Sequence, residues 1–171
     1  MTPVVFAGSF DPITNGHVEM IRRAQAIFGA VVVLVMPNNK KKTLFSLQER
    51  KKILTETFKG DACIQIASAQ GLLVDYMKKH QLTVLVRGVR NATDWEYENN
   101  QCAYNRLFYP QLQTVFLPSG VETSFISSSA VKEAFACGAD VHDLVPPCVL
   151  KALKKKKQHP YLKSSTQKAH F

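Results

Sequence analysis

The stretch GSFDPITNGH, from Gly8 to His17, follows the short apolar, β-branched run 3–7 and precedes the run 17–28, whose apolar residues have helical spacing. Gly8 frees the backbone after the strand, and Asn15-Gly16 makes a second close turn at a helix start. A strand, a glycine-containing turn and a helix in this order are typical of a parallel α/β sheet. The turn presents unpaired backbone N–H groups, which favour an anion as ligand.

The same alternation continues along the chain and predicts one α/β domain, a Rossmann-like five-stranded parallel sheet with helices on both faces. The other predicted strands are 31–36, 63–67, 83–86 and 114–117, and the other helices are 46–58, 72–80, 93–109, 127–137 and 146–155. Two predicted capping boxes, Ser46 with Glu49 and Thr93 with Glu96, mark helix starts. The domain is expected to span residues 1–155, followed by a lysine-rich tail, 156–171, that we expect to be disordered.

Charge and composition exclude several classes of protein. The net charge is +9, but residues 151–171 hold seven lysines and no acidic residue, so residues 1–150 carry only +2. No apolar run approaches the roughly 20 residues of a membrane span. The N-terminus does not resemble a signal peptide, which predicts a cytoplasmic protein. Four cysteines without a C-x-x-C pair predict free, mostly buried thiols and no zinc site.

Three further segments after predicted strands carry groups suited to phosphate. Arg87 and Arg90 flank Gly88 in VRGVRN, where guanidinium groups could bind an oxyanion, or could instead be solvated or paired with Asp94 or Glu98. The segment SFISSSAVK, 124–132, opens a helix with three serines, and NNKKK, 38–42, offers mobile positive charge.

His17 adds a possible donor at the start of a helix, although a surface histidine in a capping turn is an alternative interpretation. Neither G-x-x-x-x-G-K-[ST] nor G-x-G-x-x-G occurs, which argues against P-loop hydrolysis and Rossmann-type hydride transfer. Because ligands bind where parallel strands end, these segments together predict a bound nucleotide with several phosphates.

These motifs resemble those of the nucleotidyltransferases with an H-x-G-H or T-N-G-H motif, and within them the bacterial phosphopantetheine adenylyltransferases. The likeness runs from about residue 6 to residue 150 and rests on GSFDPITNGH, RG-x-R, ISSS-x-V-K, KK-x-x-F-x-L-x-E-R at 41–50 and D-x-E-Y-E at 94–98. The chain departs from the family pattern over 99–105, which is more polar here.

The resemblance implies transfer of AMP from ATP to 4′-phosphopantetheine, which gives dephospho-coenzyme A and pyrophosphate by in-line attack without a covalent enzyme intermediate. It implies catalytic roles for His17, as transition-state stabiliser, and for Lys41, Arg90 and Ser9. The implied ATP-binding residues are Ser9, Phe10, His17, Gly88, Val89, Arg90, Glu98, Thr123, Ser124, Phe125, Ile126, Ser127, Ser128 and Ser129. The implied acceptor-binding residues are Ser9, Lys41, Leu73 and Arg87.

The resemblance further implies Mg²⁺ held mainly by the ATP phosphates and no metal-binding residues, a homohexamer, and feedback inhibition by coenzyme A. No membrane or nucleic-acid partner is expected. Three alternatives stay open: a sister transferase acting on nicotinamide mononucleotide or glycerol phosphate, a module that binds polyanions through the lysine tail, and an inactive relative.

Overall fold

The computed structural model of the protein describes residues 2–38 and 42–157. Five strands form one parallel sheet: β1 (Val4–Gly8), β2 (Val31–Val35), β3 (Ile64–Ser68), β4 (Val84–Val89) and β5 (Gln113–Pro118). The helices are α1 (Asn15–Phe28), α2 (Leu47–Thr57), α3 (Leu73–Lys79), α4 (Ala92–Phe108), α5 (Ser128–Ala136) and α6 (Pro147–Lys157), with a short 3₁₀ helix at His142–Leu144. The predicted fold class is confirmed.

The order of the strands places a crevice at the centre of the sheet. The order is β3-β2-β1-β4-β5, so the chain moves outwards from β1 in one direction and then returns to add β4 on the other side. Val5 pairs with Leu85 and Phe6 with Val86, which brings the ends of β1 and β4 side by side. Ligands of open parallel sheets bind at such a switch point, outside the carboxyl ends of the strands.

Apolar side chains cover both faces of the sheet. Val4 and Phe6 of β1 belong to a core formed with α1, α2, α5 and α6, whereas Val5 and Ala7 belong to a second core formed with α3. Successive strand residues point to opposite faces, so continuous apolar strands such as VVVLV in β2 are what a sheet buried on both sides requires. The two cores hold the strand ends, and therefore the crevice, in place.

One of the two predicted capping boxes is present and the other is wrong. The Ser46 side chain accepts from the Glu49 amide, and the Glu49 carboxylate accepts from the Ser46 amide. A helix capped by Thr93 would begin at Asp94, but α4 begins at Ala92. Its N-cap is Asn91, whose side chain accepts from the Asp94 amide at 2.9 Å. Thr93 therefore lies inside the first turn, where its hydroxyl has no capping role.

The cysteines are free, as predicted, but the prediction that most are buried is wrong. Cys63 and Cys137 are exposed, and Cys102 and Cys148 are half-buried. Cys63 directly precedes β3 and Cys137 directly follows α5, so neither lies within the packed part of its element.

Helix α6 ends at Lys157, two residues into the predicted tail, and the rest of the tail lies outside the described residues. Within residues 2–38 and 42–157, no helix is both long enough and apolar enough to cross a membrane.

Candidate active site

A cleft of about 370 Å³ opens at the carboxyl ends of β1 and β4. The turn after β1, the starts of α1 and α5, and the facing side of α4 form its walls. Most of the residues predicted from the sequence line it: Ser9, Phe10, His17, Arg87, Gly88, Arg90, Glu98, Thr123, Ile126, Ser127, Ser128 and Ser129. The structure therefore brings together the turn after β1, the VRGVRN segment and the start of α5. Of the fourth predicted segment, 38–42, Asn38 lines the cleft and residues 39–41 lie outside the described residues.

His17 is held in the cleft by the cap of its own helix. Thr14 is the N-cap of α1, and its hydroxyl oxygen accepts from the His17 amide at 3.4 Å. The Thr14 amide in turn donates to Nδ1 of His17 at 3.1 Å, which completes a reciprocal capping box. The Thr14 hydroxyl also lies 2.8 Å from Nδ1, so the half-buried imidazole is held by both the backbone and the side chain of Thr14.

The same contacts determine where the imidazole proton sits. A backbone amide can only donate, so Nδ1 is the acceptor and the neutral ring carries its proton on Nε2. Burial, and then the positive charges of Arg90 and Arg87, lower the pKa of His17 to about 4. His17 is therefore neutral at pH 7 and offers Nε2–H as a hydrogen-bond donor.

Phe10 occupies a left-handed backbone conformation, with φ of 46°, at the tip of the turn after β1. Its ring is buried and meets the His17 ring edge-to-face, with the centroids 5.4 Å apart. A Cβ at Gly8 would lie 3.0 Å from the Phe10 ring, so glycine at residue 8 leaves the ring the space that it occupies. Positive φ at a non-glycine residue is a strained conformation that is concentrated at ligand sites.

The start of α5 forms the opposite wall. The Ser127 side chain caps the helix by accepting from the Ala130 amide, and the Ser128 hydroxyl donates to the Pro12 carbonyl at 2.8 Å. The amides of Ser128 and Ser129 are at the first two helical positions and have no intrahelical partner. Together with the start of α1 they form two helix N-termini at one cleft, an arrangement suited to phosphates.

Both predicted arginines are paired with carboxylates of α4. Glu98 accepts from Nε of Arg87 at 2.7 Å and from the terminal NH₂ group of Arg87. Asp94 accepts from Nε of Arg90 at 2.6 Å and from its terminal nitrogen at 3.0 Å. The alternative of ion pairs with Asp94 and Glu98 is thus realised, and both arginines are among the residues that line the cleft.

Asp11 and Lys132, which were not predicted as site residues, also line the cleft. Asp11 is buried and accepts from the amides of Leu44 and Phe45 at 2.9 and 2.8 Å and from Nζ of Lys132 at 2.8 Å. Both residues stand in motifs quoted above, GSFDP and ISSSAVK, but nothing in their spacing indicates that they meet.

Four predicted site residues do not line the cleft, and one lies outside the described residues. Phe125 is 68% exposed, Ser124 donates to the Val121 carbonyl, and Val89 pairs with Pro118 at the end of the sheet. Leu73 packs against the core below α3. Lys41 falls between the two described ranges.

Comparison with known proteins identifies relatives over most of the chain. The profile of the cytidylyltransferase-like family matches residues 5–134. A phosphopantetheine adenylyltransferase of Thermotoga neapolitana is 48% identical over 152 residues, which cover 89% of this chain and 94% of that protein. One of Shouchella clausii is 43% identical over 155 residues, which cover 91% of this chain and 98% of that protein.

A solved structure supports the fold. The crystal structure of a bifunctional NMN adenylyltransferase/ADP ribose pyrophosphatase from Francisella tularensis, complexed with AMP and a manganese ion, superposes with a TM-score of 0.68 at 15% identity. The match covers 96% of this chain and 52% of that one, so this chain spans about half the length of the bifunctional protein.

Proposed function

Because this chain belongs to the phosphopantetheine adenylyltransferases of the cytidylyltransferase-like family, we propose that its cleft works by aligning two phosphate-bearing substrates, without a covalent enzyme intermediate. The enzyme makes dephospho-coenzyme A from ATP and phosphopantetheine. The phosphate oxygen of phosphopantetheine attacks the α-phosphorus of ATP, a bond forms between them, and the bond to pyrophosphate breaks. Such a displacement needs alignment and positive charge around the phosphorus rather than a protein nucleophile.

On the ATP side of the cleft, His17 and the nucleotide-binding residues have different proposed roles. His17 donates from Nε2 to a phosphate oxygen, where charge builds up in the transition state, and does so as a neutral donor at pH 7. The observation that carries this proposal is the juxtaposition of His17, Arg90 and the two helix N-termini in one cleft. The further residues that we place with ATP, from the family resemblance, are Ser9, Phe10, Gly88, Val89, Thr123, Ser124, Phe125, Ile126, Ser127, Ser128 and Ser129.

The acceptor side is proposed on the other half of the cleft. Arg87 lines the cleft beside the end of β1, where Ser9 also lies, so the two could hold the phosphate of phosphopantetheine next to the attacked phosphorus. The family resemblance adds Lys41 and, along the pantetheine arm, Leu73. Glu98 is proposed, from the family resemblance, as a further ATP-binding residue, and it is paired with Arg87.

A divalent cation fits this cleft only as a partner of ATP. Of the carboxylates that line it, Asp11 is paired with Lys132, Asp94 with Arg90 and Glu98 with Arg87. Among the described residues, no group of three His, Cys, Asp or Glu side chains could hold a metal ion. We therefore propose Mg²⁺ bound through the phosphates and water, where it would neutralise charge on the pyrophosphate.

We extend the proposal to assembly, regulation and location. Helix α4 leaves several large apolar residues between 48% and 74% exposed: Trp95, Tyr97, Tyr104, Leu107 and Phe108. Such a surface supports a homo-oligomer, which by resemblance would be a hexamer.

Coenzyme A carries both a pantetheine arm and an adenosine group, so it could occupy both halves of the cleft as a feedback inhibitor. We also propose that the protein acts in the cytoplasm, as expected from the sequence.

Pyrophosphate release with ATP and Mg²⁺ tests the proposed function. 4′-Phosphopantetheine, nicotinamide mononucleotide and glycerol 3-phosphate are compared as acceptors, and the expected result is release with phosphopantetheine alone. Release with another acceptor would overturn the acceptor assignment and retain the ATP site. No release with any acceptor would favour an inactive relative or a binding module.

A further inference from the structure

The segment 119–127, between β5 and α5, carries residues of the cleft lining although it is only partly buried. Thr123, Ile126 and Ser127 line the cleft. Val121 and Phe125 of the same segment are 91% and 68% exposed, whereas Ile126 is buried. A segment this exposed gains little stability from apolar packing. Its position therefore depends on the polar contacts that it makes with the rest of the fold.

Glu19 of α1 contacts this segment at two points. The Thr123 hydroxyl donates to Oε2 of Glu19. At Gly120 the carboxylate lies so close to the backbone that an added Cβ would be 2.8 Å from Oε1. Arg23, one turn along α1, donates to Oε1 of Glu19 at 3.4 Å and to the Pro118 carbonyl at 2.6 Å. The carboxylate is thus held by α1 on one side and holds the segment on the other.

Glu19 does not itself line the cleft. The residues of α1 that do so are Gly16, His17 and Met20. The cap that orients the His17 ring is made with Thr14 and does not involve Glu19. A change at Glu19 can therefore release the segment 119–127 while the imidazole keeps its contacts.

We propose that Glu19 is a positioning residue for the segment 119–127, and that through Thr123 it sets the affinity for ATP without setting the rate of the chemical step. This inference rests on the proposed function, in which residues 123–129 bind ATP. A carboxylate that holds a segment in its binding position before the ligand arrives removes an ordering cost from binding. Where that position is populated only part of the time, the apparent affinity falls by the same fraction.

The Glu19→Ala variant tests this role. A hydrogen bond to a charged group contributes enough that the KM for ATP should rise about tenfold when the carboxylate is removed. The kcat and the KM for phosphopantetheine should change by less than about twofold, because His17 and the acceptor side keep their contacts. Calorimetric titration with ATP and Mg²⁺, in the absence of phosphopantetheine, should show the same weakening without turnover.

Two further variants separate positioning from a general loss of stability. Glu19→Gln keeps an oxygen that can accept from the Thr123 hydroxyl, so its KM for ATP should lie between those of the wild type and Glu19→Ala. Glu56→Ala makes the same change as Glu19→Ala at an exposed position of α2 and should alter neither KM.

Gly120→Ala breaks the same contact from the other side and serves also if Glu19→Ala folds poorly. The added Cβ would displace the Glu19 carboxylate, and Gly120 is not among the glycines with positive φ. This variant should raise the KM for ATP by about as much as Glu19→Ala. Adding Gly120→Ala to Glu19→Ala should change that KM by less than about twofold further, because the clash disappears with the carboxylate.

The four variants and the wild type give results that decide the proposal. Independent effects of Glu19→Ala and Gly120→Ala, which multiply in the KM for ATP, would overturn it. So would an equal rise in the KM for phosphopantetheine, a Glu19→Gln protein no better than Glu19→Ala, or a Glu19→Ala protein with wild-type affinity for ATP.

Failure of the proposed function is distinguished by the wild-type protein. If the wild type binds ATP but releases no pyrophosphate with phosphopantetheine, the proposed function fails and the ATP titrations still decide the role of Glu19. A wild type that binds no ATP would overturn both.

Discussion

Thr14 and His17 cap each other across the first turn of α1. The Thr14 hydroxyl oxygen accepts from the His17 amide, and Nδ1 of His17 accepts from the Thr14 amide at 3.1 Å. A capping box usually uses a carboxylate or carboxamide at the second position, so the histidine here combines the cap with a ring that faces the cleft. Helix formation thereby orients the imidazole and fixes its proton on Nε2 before any substrate binds.

Replacing His17 should separate catalysis from capping. His17→Ala should lower kcat by about 10²-fold or more, the scale for losing one transition-state donor, and should also cost about 1 kcal/mol of stability through the lost cap. His17→Gln restores a capping-box residue, so its free energy of unfolding should return close to that of the wild type while kcat stays low. Steady-state kinetics and urea denaturation of both variants check this; wild-type turnover in either would remove His17 from the mechanism.

The lowered pKa of His17 predicts a specific pH dependence of stability. The ordinary pKa of 6.5 falls to about 4 on folding, so between these values the unfolded chain binds more protons than the folded one. Stability from this residue is therefore full above pH 6.5 and decreases as the pH falls towards 4, by something on the order of 2 kcal/mol at pH 5.

Urea denaturation of wild type and His17→Gln at pH 7 and pH 5 measures this contribution. The wild type should lose more stability than the variant over this range, because only the wild type carries the group whose protonation the fold disfavours. Equal losses would show that the imidazole of the folded protein titrates at its ordinary pKa.

The sequence was informative about the cleft because its motifs follow strands, and parallel strands end at one edge. Gly8 and the serines at the start of α5 indicate a local turn and a local cap, so their positions could be predicted from neighbours in the chain. The close turn predicted at Asn15-Gly16 is wrong, because Thr14 caps α1 and these two residues are its first helical positions. The contact between Asp11 and Lys132, 121 residues apart, depends on how α5 packs over the turn after β1, which no local pattern specifies.

The pairing of the arginines was left open for a related reason. Choosing between solvated and paired guanidinium groups requires the rotation of α4 about its axis. An apolar stripe usually sets that rotation, but α4 leaves Trp95, Tyr104 and Leu107 exposed, and Glu98 is the buried residue of the helix. The helix is oriented by its ion pairs as well as by apolar packing, and such a helix gives no clear sequence pattern.

The start of α4 allows a direct comparison of the observed and the predicted cap. Asn91→Ala should lower the free energy of unfolding by about 1 kcal/mol, because the Asp94 amide loses its partner. Thr93→Ala should change it by less than about 0.5 kcal/mol, because Thr93 is exposed inside the helix. Urea denaturation of both variants checks the order, and a larger loss for Thr93→Ala would restore the capping box predicted from the sequence.

A side chain at Gly16 is predicted to press against the backbone before α5. A Cβ there would lie 3.2 Å from the Thr123 carbonyl oxygen and 3.3 Å from that of Ile126, and both are backbone atoms that move only with the whole segment before α5. Gly16→Ala should therefore push apart the two helix N-termini of the cleft and raise the KM for ATP about tenfold.

Gly88→Ala is the matched comparison for stability. Its Cβ would meet the flexible Met20 side chain, at 3.3 Å, instead of backbone. The melting temperature should fall more for Gly16→Ala than for Gly88→Ala. The reverse order would show that the segment before α5 gives way more easily than the methionine.

Asp11 joins three parts of the cleft and should be the most sensitive of its carboxylates to neutralisation. It accepts from two backbone amides, of Leu44 and Phe45, and from Lys132, with a side chain only 5% exposed. Asparagine offers one acceptor oxygen to these donors and adds an NH₂ group that faces another donor. Asp11→Asn should therefore lower the free energy of unfolding by about 2 to 4 kcal/mol.

Two control variants show whether the loss of stability in Asp11→Asn comes from the loss of its charge or from substitution in general. Lys132→Met leaves Asp11 its two amide donors and removes a side chain that is 27% exposed, so it should cost less than Asp11→Asn. Glu56→Gln makes a comparable change at an exposed site, and its free energy of unfolding should stay within about 0.5 kcal/mol of the wild-type value.

Because Asp11 holds the loop that follows residue 41 against the turn that carries Ser9, Asp11→Asn should also raise the KM for phosphopantetheine. An Asp11→Asn protein with wild-type stability and kinetics would contradict this role.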